Sequence, residues 1–99
     1  MNFGRRLPDS GEYAVEYLAS VLRDARRIDS TSLLDIRRKI EWLAQHVREV
    51  PHHSLEGRKF RDRYKLRVGD YRVIYSIDSR HEVITIELIG HRSKIYKER

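Results

Sequence analysis

Apolar and polar residues alternate cleanly through YKLRVGDYRVIY, residues 64–75, and this alternation predicts two half-buried strands. Gly69-Asp70 lies between them, and a Gly-Asp pair in that position signals a two-residue hairpin turn with glycine first. Such a turn sets the register: Val68 faces Tyr71, Arg67 faces Arg72, Leu66 faces Val73, Lys65 faces Ile74 and Tyr64 faces Tyr75. Side chains alternate between the two faces of a sheet. Tyr64, Leu66, Val68, Tyr71, Val73 and Tyr75 therefore form a core face, and Lys65, Arg67 and Arg72 share the other.

The rest of the chain supplies the partners of this hairpin. EYAVEYL, residues 12–18, predicts a first strand with Tyr13, Val15 and Tyr17 on one face. Leu18, Val21, Leu22, Ala25 and Ile28 follow helical spacing, which predicts a short helix from Ala19 to Ile28 with Arg23, Arg26 and Arg27 on its wet side. A second helix carries Leu33, Ile36, Ile40, Leu43 and Val47 at steps of three and four. Ser32 and Asp35 approximate a capping box at its start, and Pro51 is expected to end it. Trp42 lies off its main stripe, where it marks a partner surface or, as we expect, packs between the helices. The linker PHHSLEGRKFRD then leads into the hairpin. A last strand, Glu82 to Ile89, follows the loop from Asp78 to His81, and Gly90 opens the tail GHRSKIYKER. The order β-α-α-β-β-β predicts an α+β domain, with an N-terminal helical hairpin on one face of a mostly antiparallel sheet. Residues 1–11, MNFGRRLPDSG, show no periodicity and read as a flexible arm before a single domain at 12–99.

Composition narrows the function. With 99 residues the chain can enclose one core, and 36% charged residues make it highly soluble. A formal net charge of +6 points to a polyanionic partner. The absence of cysteine excludes disulfides and thiolate metal sites. No apolar run approaches the roughly 18 residues that span a membrane, and no signal-peptide pattern precedes residue 20, so a cytoplasmic location is expected. His46, His52 and His53 bracket Pro51 without a carboxylate set nearby. Neither a metal nor another cofactor is expected.

Two arginines directly opposed across a hairpin cost a few tenths of a kcal/mol to about 1 kcal/mol. An anion offsets that cost. Arg58, Lys59, Arg61 and Arg63 lead into the cationic face, and His91, Arg92, Lys94 and Tyr96 follow the last strand with few acids among them. Cations that hold phosphates beside rings that stack on bases suit nucleic acid. Glu87 is placed to offset one of the cations, whereas Tyr64, Tyr71 and Tyr75 are expected in the core.

YKLRVGDYRVIYSID followed by ITIELIGHRSKIY resembles the core of the RelE/ParE superfamily, toxins of type II toxin-antitoxin modules. The match is tight over residues 60–96 and looser over 12–59. The resemblance implies a RelE-like fold and an endonuclease that enters the ribosomal A site and cuts the mRNA codon held there, inhibiting translation. It assigns the catalytic set to Lys65, Arg67, Arg72, Arg92 and Tyr96. Arg67 stands where the best-known members have lysine, and the spacing from Arg92 to Tyr96 is shorter than theirs. The resemblance also implies a cognate antitoxin that wraps the toxin, a monomeric free toxin and a higher-order complex with the antitoxin. Another branch of the superfamily poisons DNA gyrase without a nuclease site, and it is the alternative.

RNA cleavage by its own 2′-OH requires removal of that proton, stabilisation of the phosphorane and protonation of the leaving 5′-oxygen. Arginine stays protonated, so Arg67, Arg72 and Arg92 are assigned to charge stabilisation. Lys65, crowded by like charges, is expected to act as a base with a lowered pKa or as a second clamp. Tyr96 stacks on the substrate base or shares the proton transfers. His91 is an added candidate for general acid, with a purely structural role as its alternative. Arg58, Lys59, Arg61, Arg63 and Lys94 are the expected RNA- and ribosome-binding residues.

Overall fold

The computed structural model describes residues 12–55, 57 and 60–95. The predicted arm at 1–11 lies outside the described residues, as do Arg58, Lys59 and Tyr96. Strand β1 (Ala14–Tyr17) is followed by helices α1 (Ala19–Ala25) and α2 (Ser30–Gln45), then by β2 (His53–Ser54), β3 (Tyr64–Val68), β4 (Tyr71–Asp78) and β5 (Val83–His91). The five strands form one sheet in the order β1-β5-β4-β3-β2. Every neighbouring pair is antiparallel except β1 and β5, which run parallel. The α+β architecture and the order of elements along the chain match the expectation, with the two-residue edge strand β2 added inside the linker.

The helices end where local chemistry, rather than apolar spacing, dictates. α1 stops at Ala25, short of Ile28, and the backbone N–H of Arg26 turns back to Arg23 and Asp24. Asp29, not Ser32, caps α2: its carboxylate accepts the Ser32 backbone N–H at 2.9 Å. That charge-assisted bond holds the Asp29 carboxyl below the usual carboxylate range. α2 ends at Gln45, six residues before Pro51, which therefore does not terminate it.

Ile36, Ile40 and Leu43 of α2 and Val21 of α1 meet Val73, Tyr75, Ile84, Ile86 and Ile89 of the sheet in one buried cluster, with Tyr64, Leu66, Val68 and Tyr71 around its margin. Tyr75 is fixed by a polar contact within this layer. The backbone carbonyl of Val47 can only accept, so His52 Nε2–H donates to it at 2.8 Å, and His52 Nδ1 accepts the Tyr75 hydroxyl proton at 2.7 Å. Burial pushes the Tyr75 phenol well above its ordinary pKa.

The β3–β4 hairpin has the predicted register, from Tyr64 opposite Tyr75 to Val68 opposite Tyr71. Gly69 has φ +59°. Asp70 is not among the positive-φ residues, which fits a turn of type II′ and the need for glycine in its first position. β5 departs from simple alternation. Ile74 pairs with Leu88 but Tyr75 pairs with Ile86, so Glu87 is an extra, bulged residue. Ile84, Ile86, Ile89 and His91 consequently lie on the helix face, whereas uninterrupted alternation would have placed Leu88 and Gly90 there.

Candidate nucleic-acid interface

The face of the sheet opposite the helices bears Lys65, Arg67 and Arg72, as the alternation requires. It is not uniformly open. Ile74 on this face is only 2% exposed, and Ile95, buried after the turn that closes β5, lies over Gly90: a Cβ on that glycine would sit 3.4 Å from the Ile95 side chain. Gly90 is opposite Arg72.

The two opposed arginines adopt different states. Arg72 is 8% exposed, and its Nη1 donates to the carbonyls of Gly69 at 2.9 Å and Tyr71 at 2.8 Å. Its guanidinium thus braces the hairpin turn. Arg67 is exposed, and among the described residues no carboxylate lies within ion-pair distance of it. Arg92 reaches the same corner from beyond β5: its backbone N–H donates to the Asp70 carbonyl at 2.7 Å, and its Nε lies 3.5 Å from Asp70 Oδ1. Both side chains of that ion pair are more than 60% exposed, so an incoming phosphate can displace the contact at little cost. The turn therefore brings Arg72 and Arg92 to one corner, with Arg67 opposite Arg72 in the strand register. Lys65 occupies the next row of this face, between His53 of β2 and Ile74 of β4.

Other predicted residues separate from this corner. Arg63 donates from Nε to Glu87 Oε1 at 2.7 Å, and Glu87 Oε2 accepts the Ser76 hydroxyl at 2.8 Å. Glu87 does offset a cation, as expected, and Arg63 is held against the sheet. Arg61 is exposed in the turn before β3.

His91 pairs with Tyr71 and packs edge-on to its ring at 5.6 Å, on the helix face. Its Nδ1 accepts from the Ser93 backbone N–H at 3.1 Å and from the Ser93 hydroxyl at 2.8 Å, which requires a neutral imidazole with its proton on Nε2. The bulge at Glu87 thus takes His91 away from the cations with which it was grouped. Lys94, with His91, lines a cleft of about 530 Å3 that also includes Asp24 and Arg27 of the α1 region.

Trp42 is not packed between the helices: it is 41% exposed, beside Arg38 and Lys39. An open notch of about 460 Å3 connects these residues to Arg67 and the hairpin turn. Their position off the apolar stripe was the one signal in the sequence. Among the described residues, no group of three or more His, Cys, Asp or Glu is arranged to hold a metal ion, and no helix is long and apolar enough to cross a membrane.

A helical pair on one side of a five-stranded sheet is the architecture of the RelE/ParE fold. Residues 15–96 match the family described as ParE toxin of type II toxin-antitoxin system, parDE, and the chain belongs to that family. No curated relative matches the chain. Among solved structures, it is similar to a chain of the toxin-antitoxin complex RelBE2 of Mycobacterium tuberculosis, at 23% identity and a TM-score of 0.72 over 84% of this chain and 94% of that one. A chain of the archaeal RelE-RelB complex of Pyrococcus horikoshii is 25% identical, with a TM-score of 0.67 over 84% of this chain and 98% of that one. The isolated RelE toxin of E. coli is 23% identical, with a TM-score of 0.66 over 87% of this chain and 93% of that one.

Proposed function

We propose that this toxin is a ribosome-dependent endoribonuclease that cuts mRNA in the ribosomal A site. The observation that carries the reading is the hairpin corner at which Arg72 is held on the turn carbonyls and Arg92 pairs with the exposed Asp70, with Arg67 opposite Arg72 in the strand register and Lys65 in the adjoining row.

In this reaction the substrate 2′-oxygen attacks the adjacent phosphorus, the P–O5′ bond breaks, and the products are a 2′,3′-cyclic phosphate and a 5′-hydroxyl. The 2′-OH proton leaves to a base and the 5′-oxygen gains one. Arg67 and Arg92 hold the non-bridging oxygens as charge builds on the phosphorane. Arg72, anchored on two backbone carbonyls, presents a fixed positive charge that needs no reorganisation. Lys65 serves as base or as a further clamp, and Tyr96 stacks on the base or shares the proton transfers. His91 and Arg63, tied to Ser93 and Glu87 respectively, position structure rather than substrate. An acid-base set this sparse depends on a substrate already bent for in-line attack. That dependence supports a requirement for the ribosome.

A cognate antitoxin neutralises the toxin in this reading. The similar M. tuberculosis chain was solved in a toxin-antitoxin complex and the P. horikoshii chain in a RelE-RelB complex, and an acidic partner complements a net charge of +6. A second reading, a gyrase-binding toxin without nuclease activity, is favoured by the ParE description of the matching family and by the burial of Arg72.

Purified toxin incubated with programmed ribosomes and with the same mRNA free separates the two. The expected result is a cut inside the A-site codon on ribosomes and almost none in free mRNA. Intact mRNA in both tubes, with supercoiling by gyrase blocked, would overturn the nuclease reading.

A further inference from the structure

Trp42 is the single tryptophan of the chain and contributes nothing to the buried cluster. It is instead held on the outside of α2. The His46 ring stacks on it at 4.7 Å with 24° between planes, and His46 Nδ1–H donates to the Trp42 carbonyl at 2.7 Å. Lys39 Nζ lies 4.8 Å from the indole centroid. Positions 39, 42 and 46 are spaced by three and four, so they share one face of the helix.

The notch beside this column is lined by Asp35, Arg38, Lys39, Trp42, Arg67 and Gly69, three cations against one carboxylate. Among the described residues, neither Arg38 nor Arg67 has a carboxylate within ion-pair distance, whereas Arg37, Arg48, Arg63 and Arg92 each have one. Two arginines without an ion-pair partner among the described residues, Arg38 and Arg67, thus line the notch beside the one exposed indole.

We propose that the notch binds a single-stranded RNA segment, with a base stacked on Trp42 and flanking phosphates held by Arg38, Lys39 and Arg67. A base replaces the Lys39 ammonium on the indole face, which frees that ammonium for a phosphate. An acidic peptide would satisfy the cations but would leave the flat aromatic surface without a matching partner. Arg67 belongs both to the notch and to the hairpin corner, so one strand of RNA can run from one to the other. The inference rests in this respect on the reading of that corner as an RNA site.

The test uses the full chain and a 2′-O-methyl oligonucleotide of about eight nucleotides, which cannot be cut and falls within the span such surfaces cover. Trp42 fluorescence should fall saturably on titration, and the response should weaken as salt rises. With end-labelled oligonucleotide followed by anisotropy, Trp42→Ala and the double variant Arg38→Glu/Lys39→Glu should each weaken binding about tenfold or more. All three positions are exposed, and circular dichroism confirms that the variants fold. Unchanged Trp42 fluorescence, or equal affinity in the variants, would overturn the proposal. So would quenching by an acidic helical peptide but not by RNA, which would assign the notch to a protein partner. Cleavage on programmed ribosomes by wild type with a silent Trp42 would reject the notch alone. No cleavage despite Trp42-dependent binding would reject the nuclease reading alone.

Discussion

The two faces of the β3–β4 hairpin come from alternate residues of the same strands, yet they answer to different demands. On the helix face Val73 and Tyr75 are almost completely buried, joined there by Ile84 and Ile86 of β5. Each such side chain loses its water and gains close-packed contacts. On the other face Arg67 stays in water opposite Arg72, which withdraws onto the carbonyls of the turn. The like-charge opposition is therefore relieved by one partner giving up its exposure. Within the hairpin, the buried apolar side chains of Val73 and Tyr75 lie on one face and the exposed Arg67 on the other, so the two can be altered separately.

The largest separation is expected from Ile84→Ala. Ile84 has no exposed surface, and truncation at such a site costs about 2–5 kcal/mol. For a domain of this size that corresponds to a fall in Tm on the order of 10 °C or more, measurable by thermal unfolding.

Tyr75→Phe sharpens the comparison within the buried face. It removes the hydroxyl that donates to His52 and should cost about 1 kcal/mol at neutral pH. It should also change the alkaline limb. Because burial raises the folded-state pKa of Tyr75 above the unfolded value of about 10, its contribution is complete below that pH and is lost as pH rises beyond it. Wild-type unfolding monitored from pH 8 to 11 should show this loss, and the phenylalanine variant should lose less over the same range. A steeper alkaline loss in Tyr75→Phe would contradict the assignment.

A smaller effect is expected at Asp29. Its folded-state pKa is depressed by the Ser32 backbone N–H, so its contribution is complete above the ordinary carboxylate range and is lost as pH falls through the folded value. Asp29→Ala should lower Tm by a few degrees at neutral pH and leave wild type and variant converging in acid. A difference that grows as pH falls would contradict the cap.

The hairpin register was legible because turn chemistry is local: Gly69-Asp70 fixes every pair from Val68–Tyr71 to Tyr64–Tyr75. Much else depended on contacts remote in sequence. The bulge at Glu87 is marked in the sequence only by the adjacent apolar pair Leu88-Ile89, yet it reverses the parity of β5 and takes His91 to the helix face. The burial of Arg72 arises from hydrogen bonds to the turn that a pattern of polar and apolar residues does not encode. β2 becomes a strand because His53 and Ser54 meet Lys65 and Tyr64 across the sheet. Within Asp29-Ser30-Thr31-Ser32 every residue has an oxygen suited to capping, and the choice fell to the carboxylate at the first position. Of the cations of the candidate site, Lys65, Arg67 and Arg72 share the sheet face that the alternation predicted. Their individual states required the fold.

The most direct test of this division compares wild type with Arg67→Ala in two measurements on the same preparations, thermal unfolding and cleavage of mRNA on programmed ribosomes. The expected result is an unchanged Tm, within a degree or two, and cleavage slowed by about 10- to 100-fold, in keeping with loss of a charge that stabilises the transition state. Full cleavage by Arg67→Ala, or slowed cleavage that merely follows a large fall in Tm, would contradict it.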